Sequence, residues 1–411
     1  LNEDRFILVT AQRELALAEV VTYFEKKGNR FHIEGVSDHA IILNAPGFDV
    51  INAMEWFGGL FKIGSVRCVL DDKTIKNSDL MESKLDSVRF YDWIDDKARW
   101  SLSTYRDESG FDPDLLIFLR EYFRQRLKED HIGKARYVPP KRVRKTDQEI
   151  IVDELIRKKI LPDGFEILAA KVLGHYYIGR TMEVVPNQQY RQRDLGRPVQ
   201  NPRLTIPPKI ARVLINLTGL EPGETLLDPF CGIGTVLQEA TIRGLRIIGC
   251  DVDTKRVSDT LKNLKWLSDT YGLHIDGLPK RVFRADARLL SKELGKPVDA
   301  VATEPILLPP LKSYLSESDA TEKLQKTAAV YEESLPEMAS VLKRRGRLVL
   351  VVPYIQTNRR STVTLNLEEV FKEADLRLHR FPEVVSLRQP VMATLSRDQK
   401  VQRGIYVLEK R

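Results

Sequence analysis

Four carboxylates in the second half of this sequence each stand where an apolar run stops. Asp228 ends LLD before PFCGIGT, Asp251 ends RIIGCD, Asp286 follows VFRA, and Glu304 follows VDAVAT and precedes a proline. An acid at the carboxyl end of a strand lies where open α/β sheets take their ligands. LLDPFCGIGTVLQEA, residues 226–240, reads as strand, glycine turn and helix. Gly232 and Gly234 let the backbone bend tightly and approach a ligand that any Cβ would obstruct. Asp251 comes 23 positions after Asp228, the spacing that suits a carboxylate accepting hydrogen bonds from ribose hydroxyls.

The turn differs from a dinucleotide site. Leu237 stands where such a fold wants a third small residue, and no GxxxxGK[ST] run exists to cradle phosphates. The expected ligand therefore has a ribose and no pyrophosphate. S-adenosylmethionine fits, because a carboxylate near the turn can engage its amino group and its sulfonium, and Asp286 offers an acceptor for the adenine amine. A glycine pair alone is commonly a simple turn and a lone strand-end aspartate a helix cap. Three such features in register at successive strand ends point to one crevice.

The elements that position these groups follow from periodicity. From residue 207 onward, apolar runs (TLLDPF, RIIGCDV, RVFRADA, VDAVATEP, RLVLVVPY) alternate with helical patterns, which indicates a mostly parallel, doubly wound sheet. PVMATL and QRGIYVLEK flank SRDQKV as an antiparallel pair. The first seventy residues read strand, helix, strand, strand, helix, strand, the order of a ferredoxin-like sandwich. A polar stretch, Asp71 to Asp96, links to a second module with a strand at 99–105 and an amphipathic helix at 113–130. That module continues with a basic extended segment at 134–145, a helix at 146–160 with Thr146 as N-cap and Glu149 three on, and two strands around Gly174-His175. A Pro- and Arg-rich connector follows. The expected domains are 1–96, 97–186, a linker at 187–206, and 207–411.

DPFCGIGT, GCDVD and RADA, in this order, resemble the Rossmann-fold S-adenosylmethionine-dependent methyltransferases. RQRDLGRPVQNPRLTIPPKIARVLINLTG resembles the segment that enters the catalytic domain of the THUMP-containing tRNA guanosine-N2 methyltransferases. The likeness is tight from Gln192 to Asp253 and upstream of Pro186 rests on element order. It implies an α/β chain in which α+β ferredoxin-like and THUMP-like modules precede a doubly wound methyltransferase domain. Asp228, Gly232, Gly234, Asp251 and Asp286 would hold the cofactor. A guanosine near position 10 of tRNA is the family's common target.

In that family the fourth strand ends in Asp-Pro-Pro-aromatic or Asn-Pro-Pro-aromatic. The first side chain and a backbone carbonyl hold the exocyclic amine, and the ring stacks on the base. Here the tetrapeptide is Glu304-Pro305-Ile306-Leu307. The acceptor and one proline remain; the second proline and the aromatic ring do not. Prolines recur at Pro309 and Pro310, and Tyr314 could offer a ring. By resemblance Glu304 and Pro305 position the amine, whose lone pair must be aimed at the methyl group. The bland alternative is that Glu304 caps a helix or pairs with an arginine. The altered loop leaves three other readings open: another base atom, a tRNA-binding protein or chaperone without chemistry, and, last, methylation of a protein amide.

KARYVPPKRVRK carries six cations, Lys134, Arg136, Lys141, Arg142, Arg144 and Lys145, no acid, and Tyr137. Phosphates need such cations, and Tyr137 could stack on a base. A solvated loop is the plain alternative, and the THUMP-like setting favours RNA. Arg191, Arg193 and Arg197 could touch RNA or tie domains together through carboxylates. The expected partner is tRNA, with no membrane; whether a small activator subunit joins it is not written in the sequence.

Net charge of +7 permits nucleic-acid binding without requiring it. Three scattered cysteines exclude a disulfide framework or a zinc site and favour a reducing, cytoplasmic setting. Cytosine-5 chemistry, which needs a cysteine near the base, is not expected: Cys231 lies in the glycine turn and Cys250 inside a strand, both as packing residues. His175 and His379 lack partners at ligand spacing and are expected to be structural, with no metal. No run is long and apolar enough to span a membrane. The opening LNEDRFILVTAQRELALAEV is not expected to be a signal peptide.

Overall fold

Strand-forming runs at the start of the chain pair in the order that a ferredoxin-like sandwich requires. The structure is a computed structural model that describes residues 4–91, 97–130, 132–143, 148–201, 205–308, 311–382, 387–394 and 399–411, the side chains of Arg142 and Val143 apart. It forms two compact units, residues 1–17 with 27–188, and residues 18–26 with 189–411.

The chain begins with β1 (Arg5–Thr10), α1 (Arg13–Lys27, of which residues 18–26 are counted with the second unit), β2 (His32–Val36), β3 (Ala40–Asn44), α2 (Val50–Trp56) and β4 (Leu60–Asp71), and the strands of the first unit take the order β2-β3-β1-β4, antiparallel throughout. Then come α3 (Ser78–Asp86), β5 (Arg99–Tyr105), α4 (Pro113–Glu129), β6 (Arg136–Tyr137), β7 (Arg142–Val143), β8 (Gln148–Glu149), α5 (Val152–Arg157), β9 (Phe165–Val172) and β10 (His175–Val184). β10 pairs with β4 along its length, so the sheet runs on as β4-β10-β9-β5-β6 and both N-terminal modules share eight strands. α4 shows why its sequence is helical. Asp112 accepts from the amides of Asp114 and Leu115, Pro113 opens the first turn, and Leu115, Leu119, Phe123 and Leu127 bury one face.

Two readings are corrected here. The polar stretch from Asp71 contains a helix, α3, whose Asn77 cap accepts from Leu80 and whose Met81 and Leu85 enter the core one turn apart. The helix expected over 146–160 is confined to Val152–Arg157; Glu149 lies in β8, and Thr146 falls outside the described residues. Tertiary partners override the local capping signal. Thr104 Oγ1 accepts from the Gln148 amide, Ser103 Oγ accepts from the Ile150 amide, and Ile150 is buried. Beneath this segment the fully buried Lys62 Nζ donates to Glu166 Oε1 at 2.6 Å and to the Ile150 carbonyl at 2.7 Å. Ser103 and Thr181 supply two more donors to Glu166.

The second unit holds α6 (Asn187–Leu195), α7 (Pro208–Thr218), β11 (Thr225–Asp228), α8 (Thr235–Ile242), β12 (Arg246–Asp251), α9 (Thr254–Tyr271), α10 (Leu278–Arg281), β13 (Val282–Arg284) and α11 (Leu290–Glu293). β14 (Val298–Thr303), α12 (Glu317–Ser340), β15 (Leu342–Gln356), β16 (Thr362–Val363), α13 (Glu368–Glu373), β17 (Leu376–Leu378), β18 (Val391–Ala393) and β19 (Val401–Lys410) complete it. The main sheet runs β13-β12-β11-β14-β15-β19-β17, parallel from β13 to β15, with β19 antiparallel to β15 and β17. The order reverses between β11 and β14, which is where such a sheet opens a crevice at its carboxyl edge. The antiparallel pair expected near the C-terminus is β18 with β19. Among the described residues no helix is long and apolar enough to cross a membrane.

Candidate cofactor cleft and acceptor loop

β11, β12 and β14 carry Asp228, Asp251 and Glu304 to one edge of the sheet. Between β11 and α8 the chain turns through Gly232 at φ +55° and Gly234 at φ +87°, a left-handed backbone that other residues rarely adopt. A Cβ at Gly232 would meet open space, while one at Gly234 would come within 2.8 Å of Thr260 Cγ2. The first glycine thus clears the ligand side of the turn, and the second lets α9 close on its back. Leu237 is buried against Gly249 of β12, which has no room for a side chain. The small residue that a dinucleotide fold places on the helix sits here on the strand.

Asp251 bridges strand and turn. Its Oδ2 accepts from the Gly232 amide and its Oδ1 from the Asp253 amide, each at 3.0 Å. Burial nonetheless raises its pKa. Asp228 is 2% exposed and accepts from Thr303 Oγ1 at 2.7 Å and the Phe230 amide at 3.2 Å. Burial pushes its carboxyl up to about 7, and the Asp251 and Glu304 carboxylates add to the push. Asp228 thus lies within electrostatic reach of both neighbouring strand-end acids. Val252, just past Asp251, is 59% exposed, an apolar surface beside the carboxylate that suits a flat base.

Asp286 is differently placed. It caps the 3₁₀ turn Ala287–Leu289, and Arg288 donates to it from its amide, Nε and Nη2, lowering its pKa. It stands at the end of β13, next to β12, with the helix-cap role its type commonly has. Cys231 and Cys250 are buried, and burial pushes both thiols far up, which suits packing and not nucleophilic attack.

Glu304 shows the bland partner: an arginine. Arg403 Nε donates to Oε2 at 2.5 Å and Nη2 to Oε1 at 3.2 Å. Arg403 sits near the start of β19, opposite Pro353 of β15. Because β19 is antiparallel, its beginning lies at the carboxyl edge of the parallel strands. Past Glu304, Tyr331 Oη shares its one hydrogen between the Ile306 carbonyl at 3.0 Å and the Val351 carbonyl at 3.3 Å, tying the loop to β15. Tyr314 is half exposed, with Lys400 Nζ 5.2 Å from its ring centre. Pro309 and Pro310 lie outside the described residues.

The connector arginines divide. Arg193 is buried and bridges to Glu239, which Arg212 also grips. Arg197 donates to Thr235 Oγ1 at 2.7 Å, at the first residue of α8. Both brace the glycine turn's helix; Arg191 stays exposed.

In the N-terminal unit, Lys134 and Arg136 are exposed, and Lys141 pairs with Glu154 at 3.0 Å. Tyr137 meets the Trp100 ring at 4.7 Å and the Arg124 guanidinium at 5.3 Å, so stacking on a base competes with contacts inside the unit. The Arg142 side chain, Arg144 and Lys145 lie outside the description. His175 turns back on the Leu173 carbonyl. Among the described residues, no group of three or more His, Cys, Asp or Glu is arranged to hold a metal ion.

Residues 197–374 match the family described as UPF0020: RMKL-like, methyltransferase domain. The tRNA (guanine(10)-N2)-dimethyltransferase of Methanothermobacter thermautotrophicus is 30% identical over 250 residues, 60% of this chain and 67% of that protein. This chain belongs to the tRNA (guanine(10)-N2)-dimethyltransferase family. The member from Methanocaldococcus jannaschii is 25% identical over 382 residues, 89% of this chain and 94% of its own length. The fold matches TrmN from Thermus thermophilus over 99% of this chain and 100% of that one, at a TM-score of 0.57 and 16% identity. It is a mixed α/β fold: a mixed-sheet N-terminal module and a C-terminal methyltransferase domain. Sequence reasoning missed four residues that the structure places at the candidate site: Val252, Thr303, Tyr331 and Arg403. Arg403 left a faint trace, as a cation beside the apolar run GIYVL of β19.

Proposed function

We infer that this chain methylates the exocyclic N2 of guanosine 10 in tRNA, with S-adenosylmethionine as donor. The observation that carries the cofactor assignment is the placement of Asp228 and Asp251 at neighbouring strand ends beside the glycine turn, where Asp251 holds the Gly232 amide. Asp251 is assigned to the ribose hydroxyls and Val252 to the adenine face, with Asp286 at the adenine amine. Asp228 lies beside the turn for the amino group. When bound, S-adenosylmethionine would supply an electrophilic methyl on its sulfonium, with the neutral thioether as leaving group, and Glu304, the acceptor assigned to an N2 hydrogen, would pass the one proton that N2 gives up to solvent.

Glu304 and the Pro305 carbonyl are assigned to the two N2 hydrogens, so that the amine lone pair points at the methyl. After one transfer a single N2 hydrogen remains, and one acceptor suffices to orient the second. Residues 1–186 would grip the tRNA, with Lys134, Arg136 and Lys141 on phosphates, and present a flipped-out guanosine. One observation favours a second reading, a tRNA-binding scaffold without chemistry: both Glu304 oxygens are already held by Arg403. Methyl transfer to an unmodified tRNA transcript, compared with one in which guanosine 10 is replaced by adenosine, separates the two. The enzyme reading requires incorporation into the first and none at that site in the second.

A further inference from the structure

The Glu304–Arg403 pair has an asymmetry that bears on which base it can accept. A guanidinium has five N–H donors and a carboxylate about four lone-pair sites, so a two-bond fork leaves groups over on both sides. On the Nε side nothing remains to donate, because Nε carries one hydrogen and Oε2 takes it at 2.5 Å. On the other side Nη2 spends one of its two hydrogens on Oε1, at a looser 3.2 Å. That side therefore displays an acceptor, Oε1, next to spare donors on Nη2 and Nη1. The pair is not sealed: the glutamate side chain is 11% exposed and the arginine 6%. Its carboxylate lies close enough to Asp228 to raise that acid's pKa.

We propose that Glu304 and Arg403 together read the Watson–Crick edge of guanine, the one lone pair left on Oε1 being shared by the adjacent N1–H and N2–H in a three-centre bond while the Arg403 guanidinium donates to O6. The proposal rests on the guanosine-N2 reading above and deepens it. Guanine presents two adjacent donors and then an acceptor, and this arrangement offers an acceptor and then donors in the matching order. A purine with the same amine but an unprotonated N1 and no O6 would set a lone pair against Oε1 and leave the guanidinium without its acceptor. Fork geometry is required: a lysine could neutralise Glu304 but has no planar second edge to aim at O6. Arg403 is thus a specificity residue, and the fork also holds the carboxylate in register with the Pro305 carbonyl.

The test uses full-length protein and tRNA transcripts carrying guanine or 2-aminopurine at position 10, both with an N2 amine, and reads kcat/KM for methyl incorporation. The expected wild-type preference for guanine is about 100-fold or more, the penalty for facing Oε1 with a lone pair and leaving the spare guanidinium donors without an acceptor. Arg403→Lys, checked for folding by thermal melting, is expected to slow both substrates, because the fork also steadies Glu304, but to slow guanine at least about tenfold more than 2-aminopurine, so that most of the preference is lost. Equal wild-type rates on the two transcripts, or a preference that Arg403→Lys retains, overturn the proposal while the guanosine-N2 reading stands. No incorporation into the guanine transcript by the wild type would remove both. The wild-type comparison holds its force even if the variant does not fold.

Discussion

Thr303 Oγ1 donates to Asp228 Oδ1 at 2.7 Å, joining the ends of β14 and β11 across the point where the sheet reverses its order. Both residues are buried. The hydrogen bond fastens the strand that delivers Glu304 to the strand that leads into the glycine turn. The loop after β14 and the glycine turn after β11 are thereby held in one register.

Asp228 makes the stability of the ligand-free protein depend on pH. Its folded pKa, about 7, lies above the ordinary carboxylate value near 3.8. Between those values the folded state keeps a proton that the unfolded state has lost, so stability falls as pH rises through the window. At roughly 1.4 kcal/mol per pH unit this amounts to a few kcal/mol by neutral pH. Melting temperatures measured from pH 4 to pH 8 should decline more steeply for wild type than for Asp228→Asn. Parallel curves would mean that Asp228 does not hold that proton.

Asp251→Ala removes the acceptor for the Gly232 and Asp253 amides and the group assigned to the ribose. Two charge-assisted hydrogen bonds, at about 1.5–3 kcal/mol each, correspond to a loss of about 10² or more in affinity. Titration calorimetry with S-adenosylmethionine should find no measurable binding. Affinity equal to wild type would take Asp251 out of the site.

Tyr331→Phe deletes the donor to the Ile306 and Val351 carbonyls without changing the core shape. A stability loss of about 1–2 kcal/mol is expected from urea unfolding, with a larger effect on kcat than on cofactor affinity because the acceptor loop loosens. A fall in cofactor affinity with kcat intact would place Tyr331 elsewhere in the mechanism.

Lys62 and Glu166 form a pair with no exposed side-chain surface in the N-terminal unit. Lys62→Met leaves Glu166 with only Ser103 and Thr181, and a broken buried pair costs about 3–5 kcal/mol. The double change Lys62→Met with Glu166→Gln should recover part of that loss in urea unfolding. A double variant as unstable as the sum of the singles would show that the two residues act independently.

What sequence exposed and what it hid follow from the range of the interactions. The placement of Asp228, Gly232, Gly234 and Asp251 at one strand-turn-helix edge was legible because one βαβ unit fixes their spacing, and periodicity alone supplied the sheet. Arg403 was not, since it meets Glu304 across 99 positions and sits in a strand recognisable only by its apolar alternation. Leu237 looked like a departure from the glycine pattern because its compensation, Gly249, lies on the next strand. Glu149 looked like half of a capping box, a local signal that Ser103 and Thr104 outweigh from β5. α3 is short and polar on most of its surface, and two buried residues one turn apart are a weak pattern.

The central claim, methyl transfer to a guanine amine, is tested most directly by nucleoside mass spectrometry of an unmodified tRNA transcript incubated with the protein and methyl-labelled S-adenosylmethionine. The label should appear as N2-methylguanosine and then N2,N2-dimethylguanosine, and map to position 10. Label on any other atom, or a transcript that stays unlabelled while the protein binds the donor, would contradict it.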